Sequence, residues 1–125
     1  GIIGFSNKNI RLLWLALAIA TPDFENENKQ SYFEQLASYT SPKYSFEVRQ
    51  IAFRYLNDLG LFTDQNLLDL VNACTHPNWR FRQNSEGLFK ILYEQTPFKK
   101  RLDNLKTRLS GNALIKFEIL TNREF

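Results

Sequence analysis

The chain has 125 residues, of which 43% are hydrophobic, 23% charged and 14% aromatic. This composition is typical of a globular protein, and the length fits one domain that buries about two-thirds of the surface of its unfolded chain. The longest apolar run has nine residues, which is far short of the ~18 that a membrane-spanning helix needs. The start GIIGFSNK also lacks the features of a signal peptide.

The chain contains no Met and begins at Gly1, so we expect a processed or excised piece of a larger protein. Its single cysteine, Cys74, excludes an internal disulfide and favours a reducing compartment such as the cytoplasm. Residues 1–75 carry six Lys and Arg against eight Asp and Glu, whereas residues 76–125 carry ten against five. This basic bias fits a solvated face, because a nucleic-acid binder is expected to carry a larger basic stripe.

The spacing of apolar residues predicts three helices in the first half of the chain. The first runs from a Ser6 or Asn7 cap to Ala20, and its apolar run LLWLALAIA indicates a buried helix. The second spans about residues 26–39. The third contains FEVRQIAFRYL, whose apolar residues recur at the spacing of one helical face. Gly60 then supplies the left-handed residue that commonly follows a helix.

Four more helices are predicted in the second half. The fourth is predicted from a Thr63 or Asp64 cap to about Thr75, and the fifth begins at Pro77 or Asn78. The sixth is predicted from Thr96-Pro97 to Gly111, and the last covers the tail from residue 112. In the tail, residues 112–125, the alternation in LIKFEIL fits a strand, whereas the spacing of Ile115 and Ile119 fits a helix. Because no partner strand is evident upstream, we expect a seventh helix.

A twelve-residue pattern in the third helix recurs 33 positions later, in the fifth. VRQIAFRYLNDL lies on FRQNSEGLFKIL, and the sequence around Ile10 and Arg11 is a fainter copy. A period of this length is typical of helical repeats of the HEAT and armadillo type. The sequence therefore predicts an all-α fold with six to seven helices in a single repeat domain over residues 1–125. The predicted architecture is a HEAT/armadillo-like right-handed superhelix of antiparallel helix pairs.

Four residues of this pattern are candidates for contacts between repeats. Arg49 and Arg82 are predicted to link one unit to the next through a carboxylate or free carbonyls, and the alternative is a solvated surface arginine. Ala52 and Ser85 are small, so a neighbouring helix can approach closely at these positions.

Two segments mix basic and aromatic residues, NWRFR at 78–82 and FKKRL at 98–102. Trp79 and Phe81 are two residues apart, so one helix cannot direct both into the core. The predicted interface comprises Trp79, Arg80, Lys99, Lys100 and Arg101. Its expected use is an aromatic anchor against a neighbouring domain, and base stacking with phosphate contacts is the alternative.

Residues suited to catalysis or metal binding are few. His76 is the only histidine, which excludes the H-E-x-x-H zinc motif. Cys74 lies two residues before it, and the expected arrangement is a buried cysteine beside a turn. The acidic residues Asp23, Glu25 and Glu27 lack the spacing of a calcium loop and are expected to favour the positive start of the second helix. We predict no catalytic, cofactor-binding or metal-binding residue in this chain.

Three segments, SNKNIRLLWLALAIATPDF, YTSPKYSFEVRQIAFRYLNDLGLF and HPNWRFRQNSEGLFKIL, together resemble the C-terminal helical domain of aminopeptidase N-type zinc metallopeptidases, the gluzincin family. The resemblance covers about residues 6–109. It implies that zinc and catalysis belong to a separate thermolysin-like domain, and that the helical domain packs on that domain and forms one wall of the cavity entered by the peptide substrate. No active-site residue can be carried over to this chain.

The predicted function is therefore that of a non-catalytic C-terminal domain of a zinc aminopeptidase, which packs on the catalytic domain of its own polypeptide and shapes substrate access. The alternative is a free-standing HEAT-like module that binds another protein. A third possibility is a HEAT-like nucleic-acid binder that uses the basic C-terminal half.

Overall fold

The computed structural model describes residues 7–22 and 28–122, and these residues fold into α-helices without a strand. The helices are α1 Asn7–Ala20, α2 Lys29–Ser38, α3 Phe46–Leu59, α4 Asp64–Ala73, α5 Trp79–Tyr93, α6 Thr96–Leu105 and α7 Gly111–Thr121. The all-α prediction is confirmed. The contacts divide the chain into two compact units, Gly1–Thr63 and Asp64–Phe125, which are described separately below.

The first unit is built around α1, which packs against both α2 and α3. One side of α1 is buried, namely Leu12, Leu15, Ala16 and Ala18. The other side stays exposed at Leu13 and Leu17. The expectation of a buried helix is therefore only half met. At the end of α1, Lys29 Nζ donates to the carbonyls of Ile19 and Thr21, which have no partner within the helix.

Local hydrogen bonds set both ends of α3. At its start the Ser45 hydroxyl accepts a bond from the Val48 backbone N–H, and at its end Gly60 is left-handed, with φ of 70°. The predicted C-terminal glycine is therefore confirmed. The buried residues of α3 are Val48, Arg49, Ala52, Phe53 and Leu56.

The second unit is built around α4, which contacts α5, α6 and α7. From Asn66 to Val71 every residue of α4 is buried. An aromatic cluster joins α5 to α7, because the Phe89 ring lies edge-on to Phe117 with centroids 5.5 Å apart. The ring of Tyr93 stacks on Phe89 at 5.7 Å and lies edge-on to Phe117 at 6.2 Å. Phe89 and Phe117 are both almost fully buried, so this contact is a large apolar contribution of α5 and α7 to the unit.

The predicted recurrence extends to the start of each helix. Asn78, which lies 33 positions after Ser45, is the N-cap of α5, and its side chain accepts from the Phe81 N–H at 3.0 Å. Both caps satisfy a backbone N–H that the helix leaves unpaired. Ala52 and Ser85, the two small residues at equivalent positions, are both buried. The two helices therefore share their start and their buried small residue.

The prediction at Gly111 is wrong in one respect. Helix α6 ends at Leu105 and continues as a 3₁₀ turn over Lys106–Arg108, whereas Gly111 is the first residue of α7. Its φ of 57° lies in the left-handed region that glycine tolerates. Residues 111–121 form the expected seventh helix, and the last three residues of the tail lie outside the described part.

Candidate protein-interaction surface

The predicted aromatic anchor, Trp79, is the first residue of α5 and is 56% exposed. The guanidinium of Arg80 lies 5.6 Å from the centre of its ring. A cation over an indole face stabilises this conformation in water. The structure thus places Trp79 and Arg80 at the surface, as a pair at the start of one helix.

The basic residues of α6 make contacts within their own unit. Lys99 Nζ lies 3.3 Å from the Tyr93 hydroxyl and 3.6 Å from the Asp103 carboxylate. The hydrogen bond to Tyr93 raises the pKa of Lys99 above its usual value. Arg101 pairs with Asp64 at 3.0 Å, whereas Lys100 is exposed. Two of these three cations therefore already have acceptors within the unit.

The two parts of the predicted interface do not form one patch. Lys99 contacts Tyr93, the last residue of α5, whereas Trp79 is the first residue of that helix. A 15-residue helix separates its ends by about 21 Å. The basic segment and the exposed tryptophan are therefore separate surfaces of the second unit.

The two recurring arginines occupy equivalent places in their helices. Arg49 Nε donates to the carbonyl of Thr40 at 2.9 Å, and Arg82 Nη1 donates to the carbonyl of His76 at 2.8 Å. In each case the acceptor lies in the turn before the arginine's own helix. These two bonds join each arginine to a backbone carbonyl of the preceding turn. A link from one helix pair to the next stays a prediction.

Cys74 and His76 have ordinary structural environments. Burial raises the pKa of the Cys74 thiol to about 12, so the thiol is protonated at neutral pH and is a poor nucleophile. The Nδ1 of His76 accepts a hydrogen bond from the Asn78 N–H at 3.0 Å. Among residues 7–22 and 28–122, no three His, Cys, Asp or Glu side chains form a group that could hold a metal ion. The acidic residues at 23–27 lie outside the described part.

A surface that the sequence did not single out lies on α1. Ile10, Leu13, Trp14 and Leu17 are between 40% and 59% exposed. Their spacing of i, i+3, i+4 and i+7 places them on one helical face. We call these four residues the α1 face. Four large apolar residues in a row on one exposed helical face are uncommon, and such patches often mark an interaction site.

The α1 face has a shaped centre. The Trp14 ring packs edge-on against Tyr32 of α2, with centroids 5.0 Å apart. Next to it is an open cleft of about 120 Å³, lined by Trp14, Leu17, Ala18 and Thr21. Arg11 lies 5.4 Å from the Trp14 ring and donates to the side chain of Gln35. The packing against Tyr32 and Arg11 holds Trp14 beside the cleft.

The sequence did carry a signal for this face. The run LLWLALAIA is apolar on all sides, so it needs more neighbours than the two helices that pack against it. The number of apolar residues in α1, compared with the number of helices expected to pack on it, would have indicated that some of them stay exposed.

Comparison of this chain with protein-family models, with the curated proteins and with the solved structures finds no match. None of the helices in the described ranges combines the length and the apolar character needed to cross a membrane.

Proposed function

We propose that this chain is a non-catalytic helical domain whose task is to bind a partner protein, and that the α1 face is the binding surface. The observation that carries the proposal is the row of exposed apolar side chains at Ile10, Leu13, Trp14 and Leu17. Each of these side chains is already about half buried, so covering the rest of one contributes roughly half of the 1.5–3 kcal/mol of full burial. Tryptophan near the centre of an interface is often among the few residues that dominate the binding energy, and Trp14 lies in the middle of this row.

The charges on α1 indicate which kind of partner would fit the α1 face. The described residues of α1 include Lys8 and Arg11 but no Asp or Glu, and both cations lie near the N-terminus of the helix. The helix dipole adds positive potential at that end. The best complement is an amphipathic helix that covers the apolar row and places a carboxylate near Lys8 and Arg11.

The more specific form of this proposal comes from the sequence resemblance. In that form, the partner is the catalytic domain of a zinc aminopeptidase in the same polypeptide, and this chain shapes access to its substrate cavity. Zinc would then be held in that other domain. The test is to read the gene upstream for H-E-x-x-H and a following Glu. Absence of the motif would refute the assignment to an aminopeptidase, but it would not bear on the proposal that the α1 face binds a partner.

The finer description of the fold belongs to the same proposal. We propose that the helix pairs repeat in the manner of a HEAT-like right-handed superhelix. Support comes from the equivalent N-caps, Ser45 and Asn78, and from the equivalent bonds made by Arg49 and Arg82.

The α1 face can be tested by photocrosslinking in cells. A photoreactive amino acid is placed at Leu13 in the full-length protein, and as a matched control at Ile91, which is also exposed but lies on α5. We expect the Leu13 probe to capture one protein segment that the Ile91 probe does not. A captured segment in the same polypeptide would favour the domain-docking form, and a segment in another polypeptide would favour the free-standing module.

The captured segment is then purified and its affinity measured with and without Leu17→Glu. Because Leu17 is exposed, the substitution is expected to change stability by no more than about 0.5 kcal/mol. It should weaken binding roughly 10- to 100-fold, since it places a charge in the apolar contact. Unchanged affinity, or equal capture by the two probes, would refute the role of the α1 face.

A further inference from the structure

A second surface lies in the other unit, on residues that the α1 proposal does not use. A shallow groove of about 280 Å³ runs between the end of α4 and helix α7. Ile115 and Ile119, each more than half exposed, form one wall. Arg82 and Lys116 also line the groove, together with Asn112. An apolar wall beside cationic groups is suited to a ligand that is partly apolar and partly anionic.

Arg82 has an unused hydrogen-bonding edge. Its Nη1 donates to the carbonyls of His76 at 2.8 Å and Pro77 at 3.3 Å, which holds the guanidinium against the start of α5. Within the part of the chain that the structure describes, its Nε and Nη2 donate to no protein acceptor and it forms no ion pair. These two N–H groups form a planar fork that matches the two oxygens of a carboxylate.

The other cation of the groove is already compensated. Lys116 Nζ lies 2.8 Å from the carboxylate of Glu86, and both side chains are only partly exposed. The positive charge of Arg82 is therefore the one that a ligand can neutralise. A neutral carbonyl would accept from this fork more weakly and leave its charge in place, whereas a carboxylate would gain two charge-assisted bonds and neutralise it.

We propose that this groove binds a peptide segment of a partner protein in which a carboxylate side chain lies next to an aliphatic one. The carboxylate accepts two hydrogen bonds from Nε and Nη2 of Arg82. The aliphatic side chain packs against Ile115 and Ile119. The contact area is small, so the Kd of such a segment alone is on the order of 0.1–1 mM. The site differs from the α1 face, so failure of either proposal leaves the other standing.

The test uses the whole chain, labelled with ¹⁵N and with ¹³C in the isoleucine methyl groups, and NMR titration. The probe is the peptide acetyl-Gly-Leu-Glu-Leu-Gly-amide, which carries one carboxylate. We expect it to shift the methyl signals of Ile115 and Ile119 and the Nε–H signal of Arg82. The counterpart with Gln in place of Glu should bind at least tenfold more weakly, because it cannot neutralise the guanidinium.

Two protein variants complete the experiment. Arg82→Lys keeps the charge and removes the fork, and it should weaken the Glu peptide at least tenfold. Arg54→Lys is the matched control, since Arg54 is exposed and does not line the groove; its affinity should equal that of the unaltered chain. The comparison of the two peptides on unaltered protein remains decisive even if Arg82→Lys folds poorly.

Several results would overturn the proposal. They are equal affinity for the Glu and Gln peptides, unchanged affinity of a folded Arg82→Lys variant, and shifts that miss Ile115 and Ile119. An absence of shifts at saturating millimolar peptide has the same meaning. Octanoate serves as a further arm: if it binds as tightly as the peptide, the groove takes small aliphatic acids, and the assignment to a peptide segment is wrong.

Discussion

Replacing Arg49 with Met measures what one buried guanidinium contributes to the first unit. Arg49 is 4% exposed, and its Nε donates to the carbonyl of Thr40, a residue with no exposed surface. Met replaces the apolar stem of the side chain but has no donor. The carbonyl of Thr40 therefore loses a charged partner in a place that water reaches poorly.

The expected loss of stability follows from two opposing terms. A hydrogen bond from a charged donor to a buried acceptor contributes about 1.5–3 kcal/mol. Removing a buried charge returns part of its desolvation cost, which offsets some of that loss. We expect Arg49→Met to lower the free energy of unfolding by about 2 kcal/mol. Arg82→Met should lower the free energy of unfolding by only about 0.5–1 kcal/mol, because Arg82 is more exposed.

The assay is urea unfolding followed by tryptophan fluorescence. In a Trp79→Phe background the signal comes from Trp14 alone, so it reports on the first unit. Arg54→Met is the matched control, because Arg54 is exposed on the same helix and should change stability by less than about 0.5 kcal/mol. If Arg49→Met costs no more than Arg54→Met, the bond to Thr40 contributes nothing measurable and the argument fails.

Four further predictions concern Cys74, Ala52 and two glycines. Native Cys74 should react with iodoacetamide at pH 8 at least roughly a thousandfold more slowly than in 8 M urea, because its pKa is raised to about 12; equal rates would contradict its burial. The same shift keeps its stability contribution intact below the unfolded pKa near 9 and removes it as the pH rises towards 12, so Cys74→Ala should flatten the loss of stability in that window. Ala52→Phe should cost about 1–3 kcal/mol through overpacking, and an unchanged melting temperature would argue against a tight contact there. Gly60→Ala should cost about 1 kcal/mol because of its left-handed φ, whereas Gly87→Ala in α5 should stabilise by about 0.5–1 kcal/mol, since a Cβ meets no atom within 4 Å at either site; effects of the same sign would refute the conformational argument.

The helices themselves could be predicted well from the sequence, because their ends depend on local hydrogen bonds. Asn78 opens α5 and Gly60 closes α3 as predicted, and each acts on backbone groups within a few residues. Gly111 shows the limit of this reasoning. A left-handed glycine suits either the end of one helix or the approach to the next, and only the packed structure assigns it to the start of α7.

The candidate surfaces were harder to predict, because exposure depends on how many neighbours each helix receives. Trp79 could be predicted to lie at the surface, since it competes with Phe81 for the core side of one helix. The exposure of Trp14 was not predicted, because the run LLWLALAIA shows a surplus of apolar residues but not which side of the helix lacks a neighbour. The unused fork of Arg82 was equally hidden, since no pattern tells which donors of a guanidinium will meet a carbonyl.

The boundary between Thr63 and Asp64 leaves each unit contiguous along the chain. Every contact among α1, α2 and α3 can therefore form once those residues have left the ribosome. At about 5–20 residues per second, synthesis of the 62 residues that follow takes roughly 3–12 s. Local helix pairs assemble in micro- to milliseconds. The α1 face can thus form, and be open to a chaperone or to its own partner, before the second unit is complete.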